Sequence, residues 1–489
     1  MRVQMDQQLR ETAMRALEAA PCSIEIPAGT GKTQLLAAAA TVAAEQQRRS
    51  LVLTHTNAGV EAIRRRLRVF GVDASSVRVE TITSWAFSLA RAYSDLAHVI
   101  VPEIPDWTKS TDYVTGAARV ASARAVQDVL KTSFDVLLVD EYQDCTVVHH
   151  EFVEALTDAI PTAILLGDRL QAVFGFLPGL TDWDTHVTPR YPSLAVPIEP
   201  HRWHGHNEGL GQWLLDIRPS LVEGRAFDIS EHSVPGLTWT TDPSPISLAT
   251  IARGFRDFDE TVLLVDKWAG DTAIHASRLG GSYSVLEDVA GRFMASQLSG
   301  LPQQYDPRLA WWLAGFAKEC LVGLSGIDRP VLQRLEHGEP ITHYRRSGLE
   351  PVLAALEALQ SSPTYVGLGT AARSIRAVAG VRPYRWEAWN DSLSAIAMTA
   401  QDGEPVLENL GKLRERLRRS GRRSGSRIAA TPLLVKGLEF DHVIIANLSK
   451  LTDPRILYVA MSRARKSVIV VGSSTRVMLS NEQPRRREE

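Results

Sequence analysis

The residues best suited to chemistry stand in the first third of the chain. Residues 26 to 33 read IPAGTGKT, with an apolar run from Ser23 to Ile26 leading in and a helix-forming run, Gln34 to Glu45, leading out. A loop that grips phosphate needs small residues so that backbone N–H groups face the oxygens, and a following helix N-terminus adds positive potential. Ala28, Gly29, Thr30 and Gly31 meet that need. Lys32 would then reach the β and γ phosphates, and the Thr33 hydroxyl would ligate Mg²⁺. Ile26 stands where the strict pattern has glycine.

A second signal is DEYQD at residues 140 to 144, directly after the apolar run Val136 to Val139. Carboxylates at the end of a buried strand are costly without a cation. Asp140 is therefore expected to share Mg²⁺ with Thr33, and Glu141 to orient and deprotonate a water. The chemistry implied is attack of water on ATP with Mg²⁺ as cofactor.

These residues need elements to hold them. Short apolar runs at Ser23 to Ile26, Leu51 to Thr54, Val77 to Glu80, Val136 to Val139 and Ala163 to Leu166 alternate with helical stretches, the pattern of a parallel sheet wrapped by helices. Ligands on such sheets bind beyond the carboxyl ends of the strands. Further runs at Thr261 to Val265, His442 to Ala446 and Val468 to Val471 predict a second α/β domain, and the stretch between them reads as helices. The expected layout is a first domain over 1–195 with a short insertion near 86–134, and a second built from 196–284 and 428–475. A helical insertion over 285–427 and a tail at 476–489 complete it.

Composition narrows the class. At 489 residues more than one core is required. A 44% hydrophobic and 22% charged content is that of a folded chain, and the net charge of −2 means that any path for nucleic acid must be local. Three cysteines, Cys22, Cys145 and Cys320, offer neither a disulfide framework nor a C-x-x-C metal site, which favours the cytoplasm. No membrane-spanning run is apparent. His201, His204 and His206 read as loop and core residues rather than metal ligands, and Trp311 and Trp312 as core.

DEYQD, with the segments that follow it in order, resembles the UvrD/PcrA/Rep group of superfamily 1 DNA helicases, in a compact form. THTNAGVEAIRRRL at 54 to 67 and TITSW at 81 to 85 are similar to that family's DNA-contacting motifs, which assigns His55, Thr56, Asn57, Thr83 and Ser84 to the strand path. LLGDRLQAVFGF at 165 to 176 resembles the motif in which Gln171 senses the γ phosphate, with Phe174 and Phe176 at positions of base-stacking aromatics. EPHRW at 199 to 203 aligns Arg202 with a γ-phosphate arginine and puts His201 where a tyrosine usually stacks on adenine. TPLLVKGLEF at 431 to 440 places Glu439 near the ribose, with Leu433 replacing the usual histidine. ILYVAMSRARK at 456 to 466 makes Arg463 a second arginine, delivered from the second domain, and Gln8 is the candidate adenine reader.

The resemblance implies two RecA-like parallel-sheet motor domains, ATP and Mg²⁺, and movement 3′ to 5′ on single-stranded DNA. The short stretch between Thr81 and Asp140 leaves little room for the family's usual insertion, which favours translocation over processive unwinding. Compact relatives of this kind also stand beside nucleases in anti-phage systems such as Gabija, so a partner nuclease is a further expectation. A reading from another class is a nucleotide-gated DNA-sensing subunit. The intact set Lys32, Glu141, Arg202 and Arg463 discriminates against it.

Overall fold

The computed structural model describes residues 5–102, 106–173, 179–255, 259–341, 348–420 and 425–480. The chain is α/β, with two sheets whose paired strands run parallel, as the alternating runs predict. It divides into two units, each drawn from separate stretches of sequence. One comprises 1–227, 452–465 and 478–489; the other comprises 228–451 and 466–477.

In the first unit the order is α1 (Gln7–Glu18), β1 (Cys22–Glu25), α2 (Lys32–Glu45), β2 (Ser50–Thr54), α3 (Asn57–Phe70), β3 (Val77–Thr81) and α4 (Ile82–Ala92). There follow α5 (Ser94–Ala97), α6 (Ser110–Ser122), α7 (Arg124–Ser133), β4 (Val136–Val139), α8 (Val147–Ala159), β5 (Thr162–Gly167), α9 (Glu208–Asp216) and α10 (Arg218–Glu223). The sheet order is β1-β5-β4-β2-β3. All four residues of β4 are buried, as a strand covered on both faces must be. Helix α2 is buried almost all round, and its run of alanines, Ala37 to Ala40, lets it lie close against the sheet without losing helix propensity. The segment between Thr81 and Asp140 is filled by α4 to α7, whose apolar faces join the core beneath β2 and β4.

The second unit contains β6 (Phe227–Asp228, its first residue in the other unit), β7 (Leu237–Thr240), α11 (Pro245–Gly254), β8 (Val262–Val265), α12 (Ala269–Arg278) and β9 (Ser284–Val285). A helical stretch follows, α13 (Arg292–Ser299), α14 (Leu309–Cys320), α15 (Arg329–Glu336), α16 (Glu350–Ser361), α17 (Tyr365–Ala377), α18 (Trp386–Asp402) and α19 (Val406–Ser420), with the small strands β10 (Leu321–Val322) and β11 (Arg382–Pro383). Its core includes Leu313, Phe316, Leu356 and Trp389, and Trp312 and Cys320 are buried in it. The chain then returns to the sheet through β12 (Arg427–Ala430), β13 (Phe440–Ile445) and, after α20 (Pro454–Met461) in the first unit, β14 (Ala464–Val471), before β15 (Arg476–Val477). The order is β7-β14-β13-β8-β12-β9.

Two local features are not evident from the sequence. Arg414 of α19 is buried, donating to Asp391 at 2.8 Å and to the carbonyl of Asp288 at 2.6 Å. Strands β7, β9 and β12 carry no strong apolar run, since they are short or composed as LTWT and RIAA.

Candidate functional site

The chain leaves β1 into the loop at residues 26 to 31, where Gly29 (φ 75°) and Gly31 (φ 96°) take the left-handed conformation that only glycine adopts without strain. Space also demands glycine. A Cβ on Gly29 would lie 2.8 Å from the Cβ of Arg202, and one on Gly31 would lie 3.0 Å from Cδ2 of His201. Gly31 is the N-cap of α2, so Lys32 and Thr33 are its first residues. The loop is held from outside: Arg202 N–H donates to the Gly29 carbonyl (2.9 Å) and Ala28 N–H to the Tyr458 hydroxyl (3.1 Å). The Thr30 hydroxyl donates to the Pro27 carbonyl at 2.8 Å. Burial pushes the Tyr458 hydroxyl up to about 12, so it stays protonated and able to accept from the loop.

Across from the loop, β4 ends at Val139 and delivers Asp140, which is 3% exposed, and Glu141. Glu141 has φ 54°, an uncommon left-handed backbone for a residue with a Cβ. Its Oε2 lies 2.8 Å from Lys32 Nζ and accepts from Gln143 Nε2. The ammonium makes an ion pair there without hydrogen-bond alignment. Burial disfavours the charged lysine, but Glu141, Asp140 and Asp168 outweigh it and raise its pKa, so Lys32 is a cation.

From Glu141 a line of bonds crosses the sheet end. Gln143 Oε1 accepts from Asp168 N–H at 2.9 Å, and the fully buried Asp168 carboxylate accepts from Gln171 Nε2 at 2.9 Å. Gln171 Oε1 then accepts from Arg463 Nη2 at 3.4 Å. Arg463 is 1% exposed and also donates from Nε to the Val459 carbonyl at 3.0 Å. Arg202 donates to the Ser462 carbonyl, and Trp203 Nε1 to the Ala464 carbonyl at 2.7 Å. Thus Lys32, Glu141, Gln171, Arg202 and Arg463 gather in one unit. Sequence order suggested that Arg463 comes from the second domain, yet 452–465 packs with the phosphate-loop unit.

Reading the sequence missed three members. Arg218 donates to Asp168 (2.9 Å) and Glu25 (2.8 Å), with Tyr458 beneath its guanidinium at 5.0 Å, and its carboxylate partners raise its pKa against the cost of burial. Asp168 and Tyr458 lie inside quoted motifs but are recognisable only by what they touch. Nothing local marks Arg218, because a buried arginine and a surface one look alike in sequence.

Other candidates fall in several places. Gln8, on the exposed side of α1, donates to Glu199 Oε1 at 3.2 Å. His55, Thr56 and Asn57 follow β2, and Thr83 and Ser84 open α4 after β3; these strands are parallel neighbours with Thr54 beside Thr81, so both groups share one sheet end. The Thr56 hydroxyl is engaged as the N-cap of α3. Phe174 and Phe176 lie outside the described residues, and Glu439 is exposed ahead of β13 in the second unit. Among the described residues, no group of three or more His, Cys, Asp or Glu could hold a metal, and no helix is long and apolar enough to cross a membrane.

The second unit has its own ligand-favouring point. The chain leaves β8 towards β9 on one side and β13 towards β14 on the other, the strand order that favours ligands beyond the carboxyl ends of β8 and β13. There Trp268 is 57% exposed, with Lys267 Nζ 5.1 Å from its ring. Nearby, Asp266 lies 3.0 Å from His275 and Lys450 pairs with Asp271 at 2.7 Å.

A glycine loop at the end of a parallel strand, with a lysine, paired acids and arginines converging on it, defines the P-loop nucleotide hydrolases. Residues 10–177 match the family model described as an AAA domain, and residues 434–471 match that of the UvrD-like helicase C-terminal domain. The chain also aligns with the crystal structure of Pif1 helicase from Candida albicans, at 10% identity and a TM-score of 0.39 over 98% of each chain. No curated protein matches it. With both models matching in order on one chain, the protein is similar to the UvrD-like superfamily 1 helicases, and the match supports an ATP-hydrolysing DNA helicase.

Proposed function

We propose that this chain is a single-stranded DNA translocase that moves 3′ to 5′ by hydrolysing ATP at residues 26–33, with Lys32, Glu141, Gln171, Arg202 and Arg463 as its working groups. The observation that carries the reading is the bonded line from Lys32 and Glu141 through Gln143, Asp168 and Gln171 to Arg463. A nucleotide-sensing module has no need of a water-directed carboxylate and a buried arginine joined in this way.

Chemically, Glu141 pairs with Lys32 and accepts from Gln143. With a γ phosphate on the loop, Lys32 would engage the phosphate and Glu141, oriented by Gln143, would take a proton from the attacking water. Arg463 and Arg202 then face charge that develops on the phosphate oxygens. Thr33 and Asp140 offer the hard oxygen ligands that suit Mg²⁺, which when bound neutralises phosphate charge. For DNA, the shared sheet end at His55 to Asn57 and Thr83 to Ser84 supports a backbone path. Trp268 supports a base-stacking point that is indifferent to sequence.

The test is the ATPase rate with and without single-stranded DNA, followed by displacement of streptavidin from a 3′- or 5′-biotinylated strand. ATP turnover stimulated by the strand and faster clearance of the 5′ block is the expected result. Turnover indifferent to DNA, or clearance of the 3′ block instead, would overturn the reading.

A further inference from the structure

The sheet of the first unit ends at β3, which has β2 on one side and no described strand on the other. Ser50 N–H donates to the Ser76 carbonyl at 2.9 Å, and successive residues of a parallel strand alternate in direction, so Arg78 and Glu80 also turn their backbone groups to β2. Val77 and Val79 turn theirs outward. The Val79 carbonyl agrees, since it accepts from Arg64 Nη2 at 2.8 Å. Among the described residues, nothing bonds to the N–H of Val77 or Val79 on that side.

Along this edge, and round the amino ends of β2 and β4, runs a cavity of about 770 Å³. Its lining includes four arginines, Arg49, Arg64, Arg68 and Arg78, against two acids, Asp73 and Glu80. Both acids are already engaged, Asp73 by the Ser75 N–H at 2.8 Å and Glu80 by Arg78 Nε at 2.8 Å. The Arg68 guanidinium bonds to no described residue. On a chain of net charge −2 this is a local excess of positive charge. The phosphate loop follows the carboxyl end of β1, so the cavity is independent of it.

We propose that this edge is a docking site for an acidic segment of a partner protein, bound in extended form as a further strand beside β3. The outward groups of Val77 and Val79 recur every second residue, the repeat at which an extended peptide presents its own N–H and C=O groups to a sheet edge. Arg64 leaves room for this, because the Val79 carbonyl has a second lone pair. Nucleic acid fits less well: a phosphodiester only accepts, and leaves the Val77 carbonyl without a donor. Arg64 and Arg68 stand one helical turn apart on α3, so carboxylates at alternate positions of the added strand suit them. Charges also serve to guard an open edge, but the Arg78–Glu80 pair on the strand itself meets that need, at 2.7 Å. Arg49, Arg64 and Arg68, supplied by other elements, exceed it.

The experiment titrates the full chain into a short fluorescein-labelled peptide of alternating Glu and Thr and follows anisotropy. Wild type should bind it, less tightly as salt rises, and amide exchange at Val77 and Val79 should slow. The same peptide with Lys in place of Glu should not bind. Nor should the peptide N-methylated throughout, which keeps the charge and loses the donors. Arg68→Glu sets like charge against the peptide and should weaken binding at least about tenfold. Arg68→Lys, which keeps the charge, should retain most of it. Arg68 touches no residue of the phosphate site, so basal ATP turnover equal to wild type in Arg68→Glu shows that the variant is folded.

No binding to wild type, or equal binding to wild type and Arg68→Glu, would overturn the proposal. Equal binding of the N-methylated peptide would do so too, since charge alone would then account for the contact. If oligothymidylate displaces the peptide and itself binds Arg68→Glu more weakly than wild type, the edge belongs to a nucleic-acid path and the proposed protein segment is lost.

Discussion

Glu141 adopts a backbone that costs a residue with a Cβ roughly 1–2 kcal/mol, and the carboxylate so placed reaches Lys32 at 2.8 Å. Strain of this size at the end of a buried strand persists only where the surroundings hold it. Glu141→Gly should therefore raise stability by up to about 1 kcal/mol in denaturant titration while abolishing turnover. Loss of stability would show that the ion pair outweighs the strain. Lys32 and Glu141 should also separate in function. Lys32→Ala removes the phosphate contact and should lose nucleotide affinity, whereas Glu141→Gln should bind nucleotide and fail to turn it over. Equal loss of binding in both would contradict the assignment. These two residues were legible because each lies in a contiguous motif. Arg218, which joins Asp168 to Glu25, was not, because its partners are far away in the sequence.

At the scale of elements, α8 opens with a capping box in which the Thr146 side chain accepts from His149 N–H and Thr146 N–H donates to His149 Nδ1 at 3.3 Å. That acceptor role needs a neutral imidazole, and burial lowers the His149 pKa to about 4. The stability that depends on the neutral ring is complete above the ordinary histidine value of 6.5 and is lost as pH falls from there towards about 4. His149→Gln should flatten the fall in stability over that window, by at most about 3 kcal/mol. Parallel unfolding curves for the two proteins across pH 4 to 6.5 would refute the link. The strands that border the phosphate site were readable as apolar runs to within a residue or so, since burial on both faces leaves no alternation to obscure them. The reversal of strand order between β8 and β13 was hidden, because it depends on how distant strands pair. Trp268→Ala should raise the single-stranded DNA needed for half-maximal ATPase by about tenfold, given stacking worth roughly 1–3 kcal/mol per base. Since the substitution removes no charge, its salt dependence should match wild type. An abasic strand should erase the difference; superimposed titrations on normal strands would remove Trp268 from the DNA path.

For the whole molecule, the first unit is assembled from three stretches, so Arg463 reaches Gln171 although almost three hundred residues lie between them. Motif order told which residues to expect, but not which unit each would join, because that depends on packing between segments distant in sequence. The consequence is that Arg463 and Gln171 should act as one device. Arg463→Ala should lower kcat by about 10³ or more, as for an arginine that faces transition-state charge, while nucleotide still binds. Arg463→Lys should not rescue it, since an ammonium cannot reproduce the planar fork that donates to Val459, Ser462 and Gln171 together. Gln171→Ala removes the acceptor for Arg463 and a donor to Asp168, so it should lower kcat as well. If the two residues work through their shared bond, the double variant will be no slower than the worse single one, because groups that act as a unit are not additive. Single-turnover ATP hydrolysis by the four proteins makes the comparison. Losses that multiply would mean that Gln171 and Arg463 address the phosphate independently, and the line from Glu141 to Arg463 would then be packing rather than mechanism.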